Sequence, residues 1–305
     1  MNDGMPREAA VVGASGFIGT ALTRRLTTDG LRVRTFTRKA PFLTGAGDLA
    51  SGVATSETVF WLSSSVNPAV AEERPDLVDY DQSQFEALLR CLESVPHSPR
   101  VVLLSSGGTV YDPRSDPPYR EDSPVRATTA YARAKLALEA SLRSADLPDR
   151  CKLVVRAANA YGPGQPARRG QGVIAYWLQA ALTGQPLVLL GDLDTVRDYV
   201  HIDDLVGALV KVHGFAGDLP PVLNVGSGKR TSLGELADTV ISVVEDRPLE
   251  LEVRPARSFD LPSTWLDIGL ATQTLGWQPG VPLRDGVASA WRHLQEHGAS
   301  LAAGL

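Results

Sequence analysis

Two side chains that could transfer a proton, Tyr131 and Lys135, lie four residues apart in a segment whose pattern predicts a helix. Residues at this spacing lie on the same face of a helix. A lysine ammonium held near a phenol favours the phenolate, and would lower the Tyr131 pKa from its ordinary value of about 10. A phenol tuned in this way can give or accept a proton near neutral pH. The pair therefore indicates acid–base chemistry at a site that other elements must build.

A glycine-rich turn near the start of the chain indicates a dinucleotide site. The apolar run Ala9–Val12 leads into the sequence GASGFIG, and a helical pattern follows as far as Thr27. Glycines let the backbone approach a pyrophosphate, and the N-terminus of a helix offers unpaired N–H groups and a positive dipole end. We expect the cofactor to be bound here by Gly13, Ser15, Gly16, Phe17, Ile18 and Gly19.

The end of the second predicted strand bears on the choice of cofactor. Chains that select NAD usually carry Asp or Glu there, to bind the ribose 2′-hydroxyl. This chain carries Thr37, Arg38 and Lys39 instead. Two cations suit the 2′-phosphate of NADP, so the sequence favours NADP. The alternative is NAD, with Arg38 and Lys39 forming a solvated basic turn.

Strand-like and helix-like segments alternate through the first half of the chain. This pattern predicts an α/β fold with a doubly wound parallel sheet of the Rossmann type. Residues 41–56, rich in Gly, Ala and Thr, predict a short or irregular third strand. The buried run that begins at Thr58 ends at Leu62 and Ser63. We expect both residues to face the cofactor, because ligands bind at the carboxyl ends of the strands in open parallel sheets.

After Gly164 the alternation loosens, which predicts a smaller, discontinuous α+β substrate domain. We assign residues 1–164 and about 196–227 to the dinucleotide-binding domain, and about 165–195 and 228–305 to the substrate domain. A substrate would bind in the cleft between the two domains. Asp203 is the expected N-cap of a helix that runs to about Val212.

The composition is that of an ordinary globular enzyme, with 305 residues, 43% hydrophobic, 21% charged and a net charge of −5. Scattered basic residues in a weakly acidic chain lack the electrostatic footprint of a nucleic-acid-binding protein. No apolar run reaches the ~18 residues of a membrane helix, and the N-terminus lacks a signal-like apolar core. Cys91 and Cys151 show no metal-binding spacing. We expect a cytoplasmic enzyme without a metal site and without nucleic-acid or membrane partners.

Four motifs, in order, resemble those of the extended short-chain dehydrogenase/reductases, in particular the branch of nucleotide-sugar epimerases, dehydratases and ketoreductases. They are GASGFIG at 13–19, SSGGTVY at 105–111, YARAK at 131–135 and RDYVHIDDL at 197–205, followed by Leu266–Asp267 and LGWQP at 275–279. The resemblance spans about residues 9–295. It implies a nicotinamide cofactor, a nucleotide-diphosphate sugar substrate of the dTDP or UDP type, and a homodimer. The dimer would form through helices at 77–92 and 131–144, whose apolar stripes would also suit internal packing.

The resemblance also implies catalytic roles. Tyr131 would exchange a proton with a sugar hydroxyl, and Lys135 would lower the Tyr131 pKa and hold the nicotinamide ribose. Family members usually carry Ser or Thr at the position of Gly107. The hydroxyl that binds the reacting oxygen would therefore come from Ser106 or Thr109, or be absent. Thr109 stands where dehydratases of this branch carry an acid, which disfavours dehydration.

The substrate-binding residues implied by the resemblance lie in the second half of the chain. Asn159, Arg197 and Arg257 would contact the diphosphate, and Asp260 the nucleoside ribose. Gln171 is a further candidate. The alternative is structural: a turn at Asn159, a surface ion pair at Arg197 and a surface loop at Arg257.

Two reactions fit this set of residues. The first is NADPH-dependent reduction of a 4-keto deoxy nucleotide sugar, with hydride delivered to C4 and Tyr131 as the proton donor. The second is an NAD-dependent UDP-hexose 4-epimerase, and the residues of the motifs are more similar to those of epimerases. Arg38 and Lys39 favour the reductase, which must draw fresh NADPH for each turnover. A third possibility, a cofactor-binding protein without activity, would have no need of Tyr131 and Lys135.

Overall fold

The computed structural model describes residues 8–167, 171–244, 249–256, 261 and 263–301. The strands are β1 (Glu8–Val12), β2 (Arg32–Phe36), β3 (Thr58–Trp61), β4 (Arg100–Ser106), β5 (Lys152–Ala157), β6 (Asn159–Tyr161), β7 (Leu187–Leu190), β8 (Val196–Arg197), β9 (Tyr199–His201), β10 (Val222–Val225), β11 (Thr231–Ser232) and β12 (Leu251–Arg254). The helices are α1 (Phe17–Thr28), α2 (Pro68–Glu73), α3 (Pro75–Glu93), α4 (Ala130–Ser144), α5 (Val173–Leu182), α6 (Ile202–Gly214), α7 (Leu233–Val244), α8 (Gly269–Leu275) and α9 (Leu283–Leu301).

The central element of the described chain is a six-stranded sheet in the order β2-β1-β3-β4-β5-β10, with every neighbouring pair parallel. The chain leaves β1 for β2 on one side and returns to β3 on the other. In doubly wound sheets this reversal opens a crevice at the carboxyl ends of the strands. The predicted Rossmann-type fold is confirmed.

Helices cover both faces of the sheet, which explains why its inner strands are continuous apolar runs. On one face, Leu22 of α1 and Leu205 of α6 pack against Val11 and Val155. On the other face, helices α3 and α4 pack against alternate strand residues such as Val59. The sheet therefore carries α4, the helix of the Tyr–Lys pair, on a fully packed surface.

The third strand that was predicted within residues 41–56 does not form. Only an isolated bridge joins Leu43 to Leu49 in this stretch. Phe42 packs edge-to-face on Trp61, with ring centroids 5.5 Å apart, and Val53 is also buried. Because its apolar side chains enter the core from an irregular loop, this stretch adds no strand, and β2 is one of the two outer strands of the sheet, with β10 at the opposite edge.

A third hydrophobic cluster lies apart from the sheet, among α5, β7, α7 and α9. Trp177, Leu187, Leu236 and Trp291 are among its buried side chains. Strand β12 pairs in parallel with β7 beside this cluster. The boundaries that the sequence indicates for two domains stay a prediction.

The N-cap of helix α6 lies two residues earlier than the sequence predicts. His201, not Asp203, caps the helix, since its Nδ1 accepts a hydrogen bond of 3.3 Å from the Asp203 N–H. Asp203 and Asp204 instead lie in the first turn, where carboxylates interact favourably with the helix dipole. His201 is buried, and burial lowers its pKa.

None of the helices in the described ranges has the length and apolar character needed to cross a membrane.

Candidate active site

The Tyr131–Lys135 pair lies at the carboxyl end of β4. Thr129 caps α4 by accepting a hydrogen bond of 3.1 Å from the Ala132 N–H, which fixes where the helix begins. The Lys135 Nζ lies 5.5 Å from the centroid of the Tyr131 ring and donates to the Leu104 carbonyl at 3.5 Å. Lys135 is buried and Tyr131 is half-buried. The two groups are thus adjacent, with Lys135 buried and the phenol partly exposed.

Ser106 and Thr109, the candidates for the assisting hydroxyl, follow directly on β4. Ser106 is the last residue of the strand, and its carbonyl accepts from the Thr109 N–H at 3.5 Å. The Thr109 Oγ1 is buried and has no hydrogen-bond partner within the described residues. An unsatisfied buried hydroxyl is costly. Thr109 therefore has unused hydrogen-bonding capacity just after the end of β4.

Gly107 has no room for a side chain. A Cβ built on Gly107 would lie 2.6 Å from Leu266 Cδ1 and 3.1 Å from the Arg156 carbonyl. Leu266 is itself only 2% exposed. The space next to Gly107 is therefore filled by a leucine from the C-terminal part of the chain.

The crevice is closed beside Gly107, where the segment 264–266 packs against the end of the sheet and leaves no space for a water molecule. The residues around this point are Gly107, Gly108, Ala158, Asn159, Asp198, Thr264, Trp265 and Leu266. The Thr264 Oγ1 is buried without a partner among the described residues. The guanidinium of Arg230 lies over the Trp265 ring, 5.6 Å from its centroid. Sequence reasoning missed Thr264 and Trp265, although they directly precede the Leu266–Asp267 motif.

Asp198 holds the segments of the crevice together. Its carboxylate accepts from the Ser227 N–H and hydroxyl, both at 2.7 Å, from the Gly228 N–H at 3.2 Å and from the Leu266 N–H at 3.3 Å. Burial raises the Asp198 pKa, and these hydrogen bonds oppose the effect. The Asn159 side chain donates to the Asp198 carbonyl at 3.0 Å. Asp198 is therefore a structural anchor within the RDYVHIDDL motif.

The structure does not bring the other predicted substrate residues together into one site. The Arg197 guanidinium donates to the Val196 and Leu261 carbonyls, both at 2.8 Å, and so supports the loop before the crevice. Gln171 is exposed just before α5, and no hydrogen bond within the described ranges joins it to Asn159. Arg257 and Asp260 lie outside the described residues.

The glycine turn lies against the end of β3. The Gly13 N–H donates to the Phe36 carbonyl at 2.9 Å, and the Gly16 N–H donates to the Gly13 carbonyl at 3.0 Å. Gly13 has a φ of +92°, and a Cβ on it would lie 2.7 Å from the Ser63 N. Leu62 is bound to β1 through its N–H. The structure thus brings the turn together with Leu62 and Ser63.

Helix α1 presents an open N-terminus to this turn. Gly16 is its N-cap and offers no side-chain acceptor, and the first turn contains no acidic residue. The first N–H groups of a helix have no intrahelical partner. Phe17 and Ile18, which are predicted cofactor contacts, lie with Gly19 in the first turn of α1. Ser15 is exposed just before the helix. A Cβ on Gly19 would collide with the Gly13 carbonyl. These residues form a close backbone cradle that fits a dinucleotide pyrophosphate.

Arg38 and Lys39 are exposed in a tight turn at the end of β2. The Thr37 Oγ1 accepts from the Lys39 and Ala40 N–H groups at 3.3 and 3.2 Å. Because the Phe36 carbonyl binds Gly13, the two cations follow closely on the glycine turn. No carboxylate occurs between residues 37 and 47. The turn therefore offers positive charge to a group bound at the cradle.

Comparison with protein families gives a match to the model of the NAD-dependent epimerase/dehydratase family over residues 9–226.

Relatives resemble the chain over most of its length. The UDP-glucose 4-epimerase of Mycolicibacterium smegmatis is 34% identical, covering 91% of this chain and 95% of the relative. The dTDP-6-deoxy-L-talose 4-dehydrogenase (NAD(P)(+)) of Kitasatospora kifunensis is 32% identical, covering 94% and 95%. Among solved structures, the UDP-glucose 4-epimerase of Thermotoga maritima with UDP-glucose superposes with a TM-score of 0.82 at 25% identity, covering 95% of this chain and 99% of that one.

The contact between Gly107 and Leu266 yields a stability prediction. Gly107→Ser is expected to cost about 1–3 kcal/mol through overpacking. Gly108→Ser serves as the matched control, since the nearest atom to its Cβ, Asn159 Nδ2, is 3.8 Å away. Because Leu266→Ala removes the obstructing methyl groups, the double variant Gly107→Ser/Leu266→Ala should be at least about 0.5 kcal/mol more stable than the sum of the single effects. Urea unfolding of all four variants measures this, and additive effects would contradict the contact.

A second prediction concerns Gly13. Gly13→Ala adds both a strained positive φ and a collision with Ser63, whereas Gly30→Ala adds the strain alone, since Gly30 has a φ of +84° and no atom within 4 Å of its Cβ. Gly30→Ala should cost about 1–2 kcal/mol. Gly13→Ala should cost more, and it alone should weaken dinucleotide binding. Urea unfolding and calorimetric titration with NADPH test both effects, and equal losses in the two variants would refute the close approach.

Proposed function

The chain belongs to the NAD-dependent epimerase/dehydratase family, and from this premise we propose that it is an NADPH-dependent reductase of a 4-keto nucleotide sugar. Relatives that act on dTDP- and UDP-sugars support a nucleotide-sugar-modifying activity with a nicotinamide cofactor. The Tyr131–Lys135 pair supplies chemistry that both candidate reactions need. The cationic turn at Arg38 and Lys39 carries the finer proposal of an NADPH-dependent reductase.

The Tyr–Lys pair supplies the proton chemistry. In the proposed reaction the Tyr131 hydroxyl donates its proton to the C4 oxygen, so that the ketone becomes an alcohol. Lys135, already directed at the carboxyl end of β4 by the Leu104 carbonyl, stabilises the phenolate that remains. When bound, NADPH supplies the hydride that C4 receives. Solvent then returns a proton to Tyr131.

The observation that carries the cofactor choice is the pair of exposed cations at Arg38 and Lys39. A 2′-phosphate bears the charge that such cations bind, and charge-assisted hydrogen bonds are the stronger ones. The cradle from Gly13 to Gly19 would hold the pyrophosphate at the N-terminus of α1. We infer NADP as the cofactor, with NAD as the alternative.

The surroundings of Gly107 contribute little charge. Asp198 is the ionisable residue there, and its carboxylate already accepts hydrogen bonds from four donors. The Thr109 hydroxyl is buried without a partner among the described residues, and we keep Ser106 and Thr109 as the candidates for the hydroxyl that assists Tyr131. Asn159, Arg197 and Arg257 remain our candidates for binding the diphosphate, Asp260 for the nucleoside ribose, and Gln171 as a further substrate contact. The homodimer and the cytoplasmic location stay predictions.

A second candidate function is an NAD-dependent UDP-hexose 4-epimerase. The 34% identity to the Mycolicibacterium smegmatis epimerase favours it. An epimerase uses the same Tyr131 and Lys135, since it also interconverts a C4 alcohol and a ketone. It regenerates its own cofactor, however, and has no need of cations that select NADPH.

We expect the protein to consume NADPH when given a dTDP-4-keto-6-deoxyhexose. Tyr131→Phe should lower kcat by about 10²–10⁴-fold, the usual contribution of a general acid. The dissociation constant for NADPH should change little, because the phenol hydroxyl is not part of the cradle. Absorbance at the NADPH band and calorimetric titration measure the two quantities.

Tyr80→Phe is the control, since Tyr80 is an exposed tyrosine on α3. It should leave both quantities unchanged. Near wild-type reduction by Tyr131→Phe would refute the mechanism. Release of NAD⁺ from the denatured wild type, together with UDP-galactose epimerisation and no NADPH consumption, would establish the second candidate instead.

Arg38→Ala/Lys39→Ala is expected to raise KM for NADPH by roughly 10-fold or more, through loss of charge-assisted contacts to the 2′-phosphate. KM for NADH should stay nearly constant, since NADH lacks that phosphate. Arg90→Ala, an exposed cation on α3, is the matched control. Initial-rate kinetics with both cofactors decide the matter, and equal effects on NADPH and NADH would refute the assignment.

A further inference from the structure

A third ionisable residue continues the face of α4 that carries the active pair. Tyr131, Lys135 and Glu139 follow one another at intervals of four residues, so they lie along one side of the helix. The Glu139 side chain is fully buried. It accepts a hydrogen bond of 2.6 Å from the Ser105 hydroxyl on β4, and bonds of 3.1 and 2.7 Å from the Nε and Nη2 atoms of Arg156 on β5. Glu139 thus binds α4 to two neighbouring strands.

Arg156 extends this contact toward the crevice. Its side chain is 4% exposed, and its guanidinium lies 4.9 Å from the centroid of the Tyr111 ring. The Tyr111 hydroxyl donates to Asn224 Oδ1 at 2.6 Å, and the Asn224 amide donates to the Asp267 carbonyl at 3.2 Å. Asp267 directly follows Leu266. A continuous set of buried polar contacts therefore joins the helix of the Tyr–Lys pair to the wall of the crevice.

Buried ion pairs contribute little net stability, because desolvation offsets their attraction. Burial disfavours the charged form of Arg156, but the hydrogen bonds and charge of Glu139 outweigh it and raise the Arg156 pKa. The other buried residues on α4 include Ala132, Leu138 and Leu142. Apolar contacts of this kind are non-directional and would tolerate a small rotation of the helix, whereas three directed hydrogen bonds do not.

We propose that Glu139 and Arg156 are positioning residues whose ion pair fixes the rotation and height of α4 on the sheet, and with them Lys135 and Tyr131. The inference rests on the proposed function, in which this pair transfers the proton. Neither residue touches the substrate. Each acts by keeping the Lys135 Nζ at the Leu104 carbonyl and the phenol at the crevice.

The test compares Glu139→Gln with the double variant Glu139→Leu/Arg156→Met. The single variant should be destabilised, because Arg156 loses its counter-charge. The double variant removes both charges and should regain most of the wild-type stability. If the ion pair served only stability, the double variant would then also regain wild-type activity. The proposal instead predicts that kcat of the double variant stays about 10- to 100-fold low with KM for the keto sugar within threefold, as expected for a misplaced catalytic group.

Leu236→Ala in α7 is the control for stability alone, since Leu236 is fully buried and belongs to the separate cluster around α5 and α9. It should lower the unfolding midpoint and leave kcat unchanged well below that midpoint. Wild-type kcat in the double variant would overturn the proposal.

The dissociation constant for NADPH separates this inference from the proposed function. If the wild type turns over neither a keto sugar nor a UDP-hexose, the proposed function fails. The inference is then decided by cofactor binding, because Lys135 is expected to hold the nicotinamide ribose. The double variant should bind NADPH at least threefold more weakly than the wild type, and Leu236→Ala should not. An unchanged constant would overturn the inference independently of any reaction.

Discussion

The crevice depends on one buried carboxylate that must have donors. Asp198 is 2% exposed, and a charge at such a depth is tolerated only where hydrogen bonds replace water. Its partners come from the loop after β10, through Ser227 and Gly228, and from the C-terminal part of the chain, through Leu266. The chain therefore cannot bury this charge without bringing the two segments to the end of the sheet. The geometry of the site follows from that requirement.

Because the loop after β10 and the segment at Leu266 both pack against Asp198, only some side chains fit around this residue. A Cβ on Gly226 would lie 2.5 Å from the Asp198 carboxylate, so that position is restricted to glycine. The same convergence delivers Leu266 onto Gly107. A hydroxyl at residue 107 is thus excluded by packing, and its absence says nothing about a loss of chemistry. The neighbouring hydroxyl of Thr109, buried without a partner in the described part of the chain, supports a shift of that role along the same turn.

Most of the sheet and the cofactor turn could be predicted from the sequence because their signals are local. An apolar run followed by GASGFIG specifies strand, turn and helix within about twenty residues, and the i, i+4 spacing places Lys135 next to Tyr131. The crevice could not be predicted in this way, since Leu266 binds Asp198 across 68 residues of chain. The N-cap of α6 was predicted wrongly because an imidazole nitrogen of His201, rather than the usual carboxylate, accepts the first N–H. Glu139 gave no signal, since a charged residue on a helix is ordinarily solvated.

The absence of a strand between β2 and β3 bears on the choice between the two candidate reactions. Among the described residues no strand lies beyond β2, which is one of the two edges of the sheet, and Arg38 and Lys39 stand exposed at its end. Affinity that comes from exposed charges is screened by salt and contributes modestly. A phosphate held there would be selected by charge yet free to leave. Such a site suits a cofactor that must be exchanged at each turnover, and it suits less well an enzyme that keeps its NAD⁺ through many cycles. The open edge is thus one of the grounds on which we propose the reductase, whereas the Tyr–Lys pair is shared by both reactions and does not distinguish them.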